Sequence, residues 1–140
     1  MTKSMLFKKF IWPVRVYYED TDAGGVVFYA NYLKFFERAR TEMLRAAGFE
    51  QDELITKEGV LFAVRSVQVD YLLPARFNEQ ILVSAEVVLA KKASITFEQQ
   101  ITRGDDVLCK SICRIACLDA HTLRPKAIPE NLLELLKNEY

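Results

Sequence analysis

The stretch NYLKFFERARTEMLRAAG at 31 to 48 constrains the fold most, because it is the one long helical pattern in the first hundred residues and almost everything after it reads as strand. Leu33, Phe36, Ala39, Met43 and Ala47 recur at helical spacing with no internal glycine or proline, and residues so spaced share one face of an α-helix. Phe35 and Phe36 read as core for the same reason. Gly48 stands where a C-cap is expected, since glycine enters the left-handed conformation that ends many helices. After QDELITKEG, which has room for a short helix, the segments 60 to 72, 80 to 91, 94 to 103 and 106 to 118 are rich in valine, isoleucine and aromatic residues. Turn signals such as ARFNE and RGDD separate them, the signature of successive strands. No connection has room for a helical crossover, so the strands are expected to pair antiparallel.

Ahead of the helix, FIWPVRVYYE alternates around β-branched and aromatic residues and predicts a strand near 12 to 19, with Pro13 confining its first part to an edge or strand start. At the other end, ENLLELLKN follows the irregular DAHTLRPKAIP and predicts a short amphipathic helix with Pro129 at its start. The order strand, helix, four strands predicts an α+β fold: a five-stranded antiparallel sheet whose apolar face wraps around one long central helix. Such a sheet has two edges, and pairing edges between copies predicts a dimer. No repeat, low-complexity segment or linker divides the 140 residues, so positions 1–140 read as one domain.

Nineteen basic residues balance nineteen acidic ones, which argues against a nucleic-acid partner drawn by bulk charge. No apolar run reaches the ~18 residues of a membrane-spanning helix. The opening MTKSMLFKKFIWP, interrupted by Lys8 and Lys9 and without a small-residue cleavage site, reads poorly as a signal peptide. A cytoplasmic location is the expectation. Cys109, Cys113 and Cys117 are odd in number and fit no CxxC spacing, so they read as buried free thiols, with no metal site.

Chemistry concentrates in EDTDAGGVVFYANY at 19 to 32, where carboxylates in a turn, a glycine pair and the start of the helix converge. Helix N-termini present unpaired N–H groups and partial positive charge, which suits an acyl oxygen that becomes negative during attack. Carboxylates in water titrate near 4, so an aspartate is ionised at neutral pH and can activate water or attack a carbonyl directly. Spacing alone leaves two readings open, since a DxD before a glycine pair also serves as a turn or helix cap.

The segment VRVYYEDTDAGGVVFYANYLKFFERARTEMLR at 14 to 45 resembles the opening of the YbgC-type acyl-CoA thioesterases, relatives of 4-hydroxybenzoyl-CoA thioesterase in the hotdog superfamily. The resemblance continues through VRSVQVDYLLPAR at 64 to 76 and LRPKAIP at 123 to 129, nearly the whole chain. It implies a hotdog fold, a homodimer or homotetramer, and hydrolysis of acyl-CoA in the cytoplasm without a metal or separate cofactor, coenzyme A being part of the substrate. It also permits an association with a cell-envelope assembly system. Carried over residue by residue, the catalytic aspartate falls on Asp22, as general base or as nucleophile giving a mixed anhydride; Asp20 is its nearby rival, with a turn or supporting hydrogen bond as the other role.

One position departs from the family. YbgC-type proteins usually carry Tyr-His where this chain has Phe28-Tyr29, and its only histidine, His121, lies in the late irregular segment. A phenol titrates near 10 and shuttles protons poorly at neutral pH. FYANY at 28 to 32 also resembles the aromatic-Tyr-Pro-Asn-Tyr stretch of 4-hydroxybenzoyl-CoA thioesterase, which implies that Tyr29 holds the thioester carbonyl through its main-chain N–H. Coenzyme A phosphates need local cations, and the candidates are Lys91 and Lys92 at a predicted turn, with Arg124 and Lys126 flanking Pro125. Glu37, Arg38, Arg40, Glu42 and Arg45 read mostly as solvent face or dimer contacts. Two other functions compete: a CoA-binding or scaffold protein whose chemistry weakened with the histidine at position 29, and a hotdog dehydratase, which would need a histidine paired with an acid.

Overall fold

The computed structural model describes residues 9–137. The signal-peptide reading therefore falls mainly on residues outside the described ones, as does Asn138 of the last predicted helix. Five strands form one antiparallel sheet: β1 Phe10–Arg15, β2 Val60–Tyr71, β3 Gln80–Lys91, β4 Ser94–Arg103 and β5 Asp106–Asp119, in the order β1-β3-β4-β5-β2. The long helix α1, Asn31–Ala46, packs chiefly against β3 and β1, and the short helix α2, Glu130–Lys137, against β3. Between α1 and β2 a short helical turn, Gln51–Glu53, widens into a π turn, Leu54–Glu58. This is the hotdog arrangement, an α+β sheet wrapped around its helix.

Each element follows from its side chains. Phe35, Phe36, Ala39 and Met43 of α1 are fully buried, whereas Leu33, expected in the same stripe, is 39% exposed. Gly48 takes φ +97°, a conformation that favours glycine, and Phe49 N–H closes the helix end on the Leu44 carbonyl at 2.9 Å. On the sheet, Ile81, Val83, Ala85 and Val87 of β3, Phe97 and Ile101 of β4, and Cys109, Cys113 and Cys117 of β5 alternate inward at the two-residue period and join the same core. The three cysteines are free thiols. Pro13 lies on the edge strand β1, where a missing N–H is tolerated.

The first strand stops earlier than the alternation predicts, at Arg15 instead of 19. Val16 still exchanges hydrogen bonds with Glu79 and Asn78, but Tyr18–Asp20 then turns into a single 3-10 turn. The cause is local. The Asp20 carboxylate accepts the Tyr17 N–H at 2.8 Å and offers the backbone an alternative to a sheet partner.

Both ends of the sheet matter for function. β1 and β2 are its edges. Strand β2 pairs with β5 alone, carries an extra residue, Arg65, between paired Val64 and Ser66, and from Val64 to Tyr71 is largely exposed. At one end of the sheet lie Arg15, Gln80, Arg103, Asp106 and Tyr71; at the other lie Lys91, Ser94, Asp119 and Val60.

Candidate active site

The segment that leaves β1 folds into a small hairpin before α1 begins. Thr21 bridges Val27, Asp22 N–H donates to the Val26 carbonyl at 2.9 Å, and Phe28 N–H donates to the Asp20 carbonyl at 3.0 Å. A tight turn at 22 to 25 closes it: Gly25 N–H donates to the Asp22 carbonyl at 3.1 Å, and Gly25 has φ +78°. Gly24 touches the same aspartate from the turn. Its N–H donates to Asp22 Oδ1 at 2.8 Å, and a Cβ there would stand 3.3 Å from that same oxygen.

The two aspartates have opposite surroundings. Asp20 is buried, with Oδ2 accepting from Tyr17 N–H and Oδ1 accepting from Asn31 Nδ2 at 2.8 Å, so it ties the hairpin to the first residue of α1. Asp22 is exposed and has one protein donor, the Gly24 N–H. A carboxylate so placed keeps lone pairs available for water or substrate.

Tyr29 lies just ahead of Ala30, the N-cap of the helix. Its carbonyl accepts from Tyr71 Oη on β2 at 3.0 Å, and among the described residues its N–H has no acceptor. Its ring is 64% exposed and packs near those of Phe28 and Tyr71. Tyr32 supports the loop on the other side: its Oη accepts from Ala75 N–H at 3.0 Å, and burial raises its phenol above the ordinary range. Tyr71 and Tyr32 were not singled out from the sequence. Their role depends on where β2 and the 72 to 79 loop return, and no local pattern encodes that.

The four predicted cationic residues do converge. Lys91 and Lys92 form the exposed turn between β3 and β4, and Ile128 N–H donates to the Lys92 carbonyl at 2.8 Å, bringing in the segment that carries Arg124 and Lys126. Arg124 O accepts from Asp119 N–H, and Lys126 N–H donates to the Cys117 carbonyl. Lys126 Nζ already pairs with Asp119 at 3.7 Å. The Asp119 carboxyl is held below the usual range, first by the Thr122 and His121 N–H groups. His121 is part of this corner and far along the sheet from Tyr29.

Within one chain these groups do not meet. Asp22 and Tyr29 belong to the Arg15–Gln80 end of the sheet, while Lys91, Lys92, Arg124 and Lys126 belong to the Lys91–Asp119 end. The twelve residues of β3 separate them, roughly 35 Å at strand rise. Cavities of 250 to 310 Å³ line the sheet and helix, and neither Asp22 nor Tyr29 borders these four.

The helix charges need one correction. Arg45 pairs with Glu42 and Glu50 at the surface, as solvent-face residues do. Arg40 instead is 9% exposed and donates from Nη1 to Gln99 Oε1 at 2.9 Å. It lies on the same face as Phe36 and Ala39, and its charge hid that placement.

Comparison with known proteins agrees with this architecture. The family model described as the thioesterase-like superfamily matches residues 16–136. The acyl-CoA thioesterase YbgC of Haemophilus influenzae is 44% identical, over 91% of this chain and 94% of its own length. The acyl-CoA thioester hydrolase YbgC of Escherichia coli is 42% identical over 91% of this chain and 96% of its own. Among solved structures, a probable thioesterase from Bartonella henselae superposes with a TM-score of 0.83 at 32% identity, covering 86% of this chain and 99% of its own. A five-stranded sheet wrapped on one helix and likeness along almost the full length place the chain in the thioesterase-like superfamily, as a member of the YbgC-type acyl-CoA thioesterases.

Proposed function

We propose that this protein hydrolyses acyl-CoA thioesters, with Asp22 as the catalytic carboxylate and the Tyr29 main-chain N–H as donor to the thioester oxygen. The observation that carries the reading is an exposed carboxylate on the hairpin, and between the hairpin and the helix an N–H that has no acceptor among the described residues. A donor aimed where charge develops lowers the barrier most, and losing one such donor costs about 10² to 10³ in rate. In the general-base form Asp22 takes a proton from water, the water oxygen bonds to the acyl carbon, the C–S bond breaks, and the proton passes to the departing thiolate. In the nucleophilic form the carboxylate oxygen bonds to the acyl carbon, the C–S bond breaks and the thiolate leaves, taking a proton from solvent, and water then cleaves the anhydride. Label found in Asp22 after a single turnover in ¹⁸O water identifies the second, because only an anhydride opened at the aspartyl carbonyl puts water oxygen there.

The opposite placement of the carboxylate and the cations supports a composite site. Two copies joined antiparallel along their β2 edges bring the Asp22 end of one beside the Lys91–Lys92 end of the other. The long, exposed, singly paired β2 is suited to such joining. On this reading Lys91, Lys92 and Arg124 hold the coenzyme A phosphates, and Lys126 helps after yielding its Asp119 contact. The reaction needs no metal or separate cofactor, and the protein works in the cytoplasm. Among the described residues, no helix is long and apolar enough to cross a membrane.

The test is thiol release from short, long and aromatic acyl-CoAs by wild type and Asp22→Asn. Turnover by wild type and its loss in the variant support the reading; undiminished turnover by the variant removes Asp22 from the role. A second reading draws on the Tyr29 side chain, a phenol where the family resemblance implies an imidazole. If the wild type binds CoA and releases no thiol from any substrate, a binding or scaffold role replaces catalysis.

A further inference from the structure

A cavity of about 310 Å³ opens between α1 and the exposed edge of the sheet, lined by Leu33, Phe36, Arg40, Val64, Val67 and Cys113 among others, with Ser111 in its wall. It begins at Leu33, in the first turn of α1 and close in sequence to the Tyr29 N–H, and follows the helix to Arg40. Those seven residues rise about 10 Å, the reach of a medium-length acyl chain. Its walls are mostly apolar, but two polar groups in it lack the partners that burial normally demands.

Ser111 is 3% exposed, and its Oγ has no hydrogen-bond partner among the described residues. Arg40 is held in place more firmly. The ladder between β3 and β4 lapses between the paired Val83–Ile101 and Glu86–Glu98, and side chains fill the gap. Gln99 Nε2 donates to the Ser84 carbonyl at 3.1 Å and to the Phe36 carbonyl at 3.0 Å, while Ser84 Oγ accepts the Gln100 N–H at 2.9 Å. With its amide nitrogen committed, Gln99 turns Oε1 to Arg40 Nη1. A guanidinium has five N–H donors, and among the described residues Arg40 uses one, with no carboxylate in salt-bridge range. Glu37 borders the same cavity, but its side chain forms no pair with Arg40. Burying an under-used cation is costly unless something supplies acceptors.

We propose that this cavity is the acyl pocket and that Arg40, oriented by Gln99 with Ser111 beside it, selects acyl groups bearing an oxygen acceptor, hydroxyl or carboxylate, at their far end. The inference rests on the thioesterase reading and sharpens its substrate class. A plain alkyl chain fills the apolar walls but leaves Arg40 and Ser111 unpaired. An oxygen at the far end satisfies both, and a site built to hydrogen-bond such a group discriminates strongly against the analogue lacking it.

The test compares kcat/KM for butanoyl-, hexanoyl- and octanoyl-CoA with their terminal hydroxy and terminal carboxy counterparts, using the full-length protein. Wild type should favour an oxygen-bearing substrate over its plain match by about ten- to a hundred-fold at the length that reaches Arg40. Arg40→Met should bring that ratio close to one. Because Arg40→Met can fail to fold, Ser111→Ala provides the independent check: removing an unpaired buried hydroxyl should keep or raise the melting temperature and still lower the preference several-fold. A carboxylate preference over hydroxyl identifies charge as the recognised feature; equal preference identifies hydrogen bonding. A wild-type ratio near one at every length, or a ratio kept in both variants, overturns the proposal and leaves the cavity to the second copy of the chain. Absence of thiol release from plain and oxygen-bearing substrates alike would overturn the thioesterase reading, and this proposal with it.

Discussion

Asp20 and Asp22 are two residues apart and carry the same side chain, yet their surroundings assign them different work. Asp20 accepts two hydrogen bonds in a buried place, from Tyr17 N–H and Asn31 Nδ2. Asp20→Ala leaves both donors without an acceptor and should cost about 1–3 kcal/mol of stability, measured by denaturant unfolding. Asp22 is exposed and bonded to one N–H, so Asp22→Asn should leave the melting temperature within a few degrees of wild type and reduce thiol release by about 10³-fold or more. A variant pair in which stability and activity fall together at the same position would collapse the distinction. Sequence carried this much of the site: the motif points to position 22 for the acid, whereas spacing alone favoured a turn or helix cap. The reason is physical, because Asp22 does serve the turn, through Gly24, as well as standing open to solvent. Arg40 was illegible for a complementary reason. A charged residue among Glu37, Arg38 and Glu42 looks solvated until β4 returns with Gln99, 59 positions later, to hold it inside.

At the scale of elements, periodicity was enough wherever apolar side chains alone decide the structure. The four strands after α1 and the cap at Gly48 follow their patterns. The first strand fell short because a carboxylate, Asp20, outcompeted the sheet for the backbone. Gly48→Ala forces a Cβ into a left-handed residue at φ +97° and should lower stability by about 1 kcal/mol, with little effect on activity. Strand β5 makes a second prediction. Burial pushes the Cys109 thiol up to about 12 and Cys117 to about 11, against ~8.5 in an unfolded chain. Above pH ~8.5 the unfolded chain loses these protons while the folded one keeps them. Stability from these thiols is therefore complete below pH ~8.5 and declines as pH rises toward 11 to 12. Correspondingly, an aromatic disulfide reagent at pH 8 should label the three cysteines only when denaturant unfolds the protein.

At the scale of the whole molecule, the two halves of the proposed site stand at opposite ends of one sheet. No sequence pattern could reveal that, since Asp22 and Lys91 acquire their separation only from strand order and direction. The same topology exposes β2 as an edge and makes a second copy the natural way to bring a carboxylate and phosphate-binding cations together. The most direct measurement is subunit complementation between Asp22→Asn and a chain carrying Lys91→Glu with Lys92→Glu, each inactive alone, mixed under conditions that exchange subunits. If each site takes its acid from one copy and its cations from the other, mixed dimers hold one intact site, and thiol release should recover to about a quarter of wild type. If the mixture stays as inactive as its parents while mixed dimers are demonstrably formed, the acid and the cations act within a single chain and the composite site is wrong.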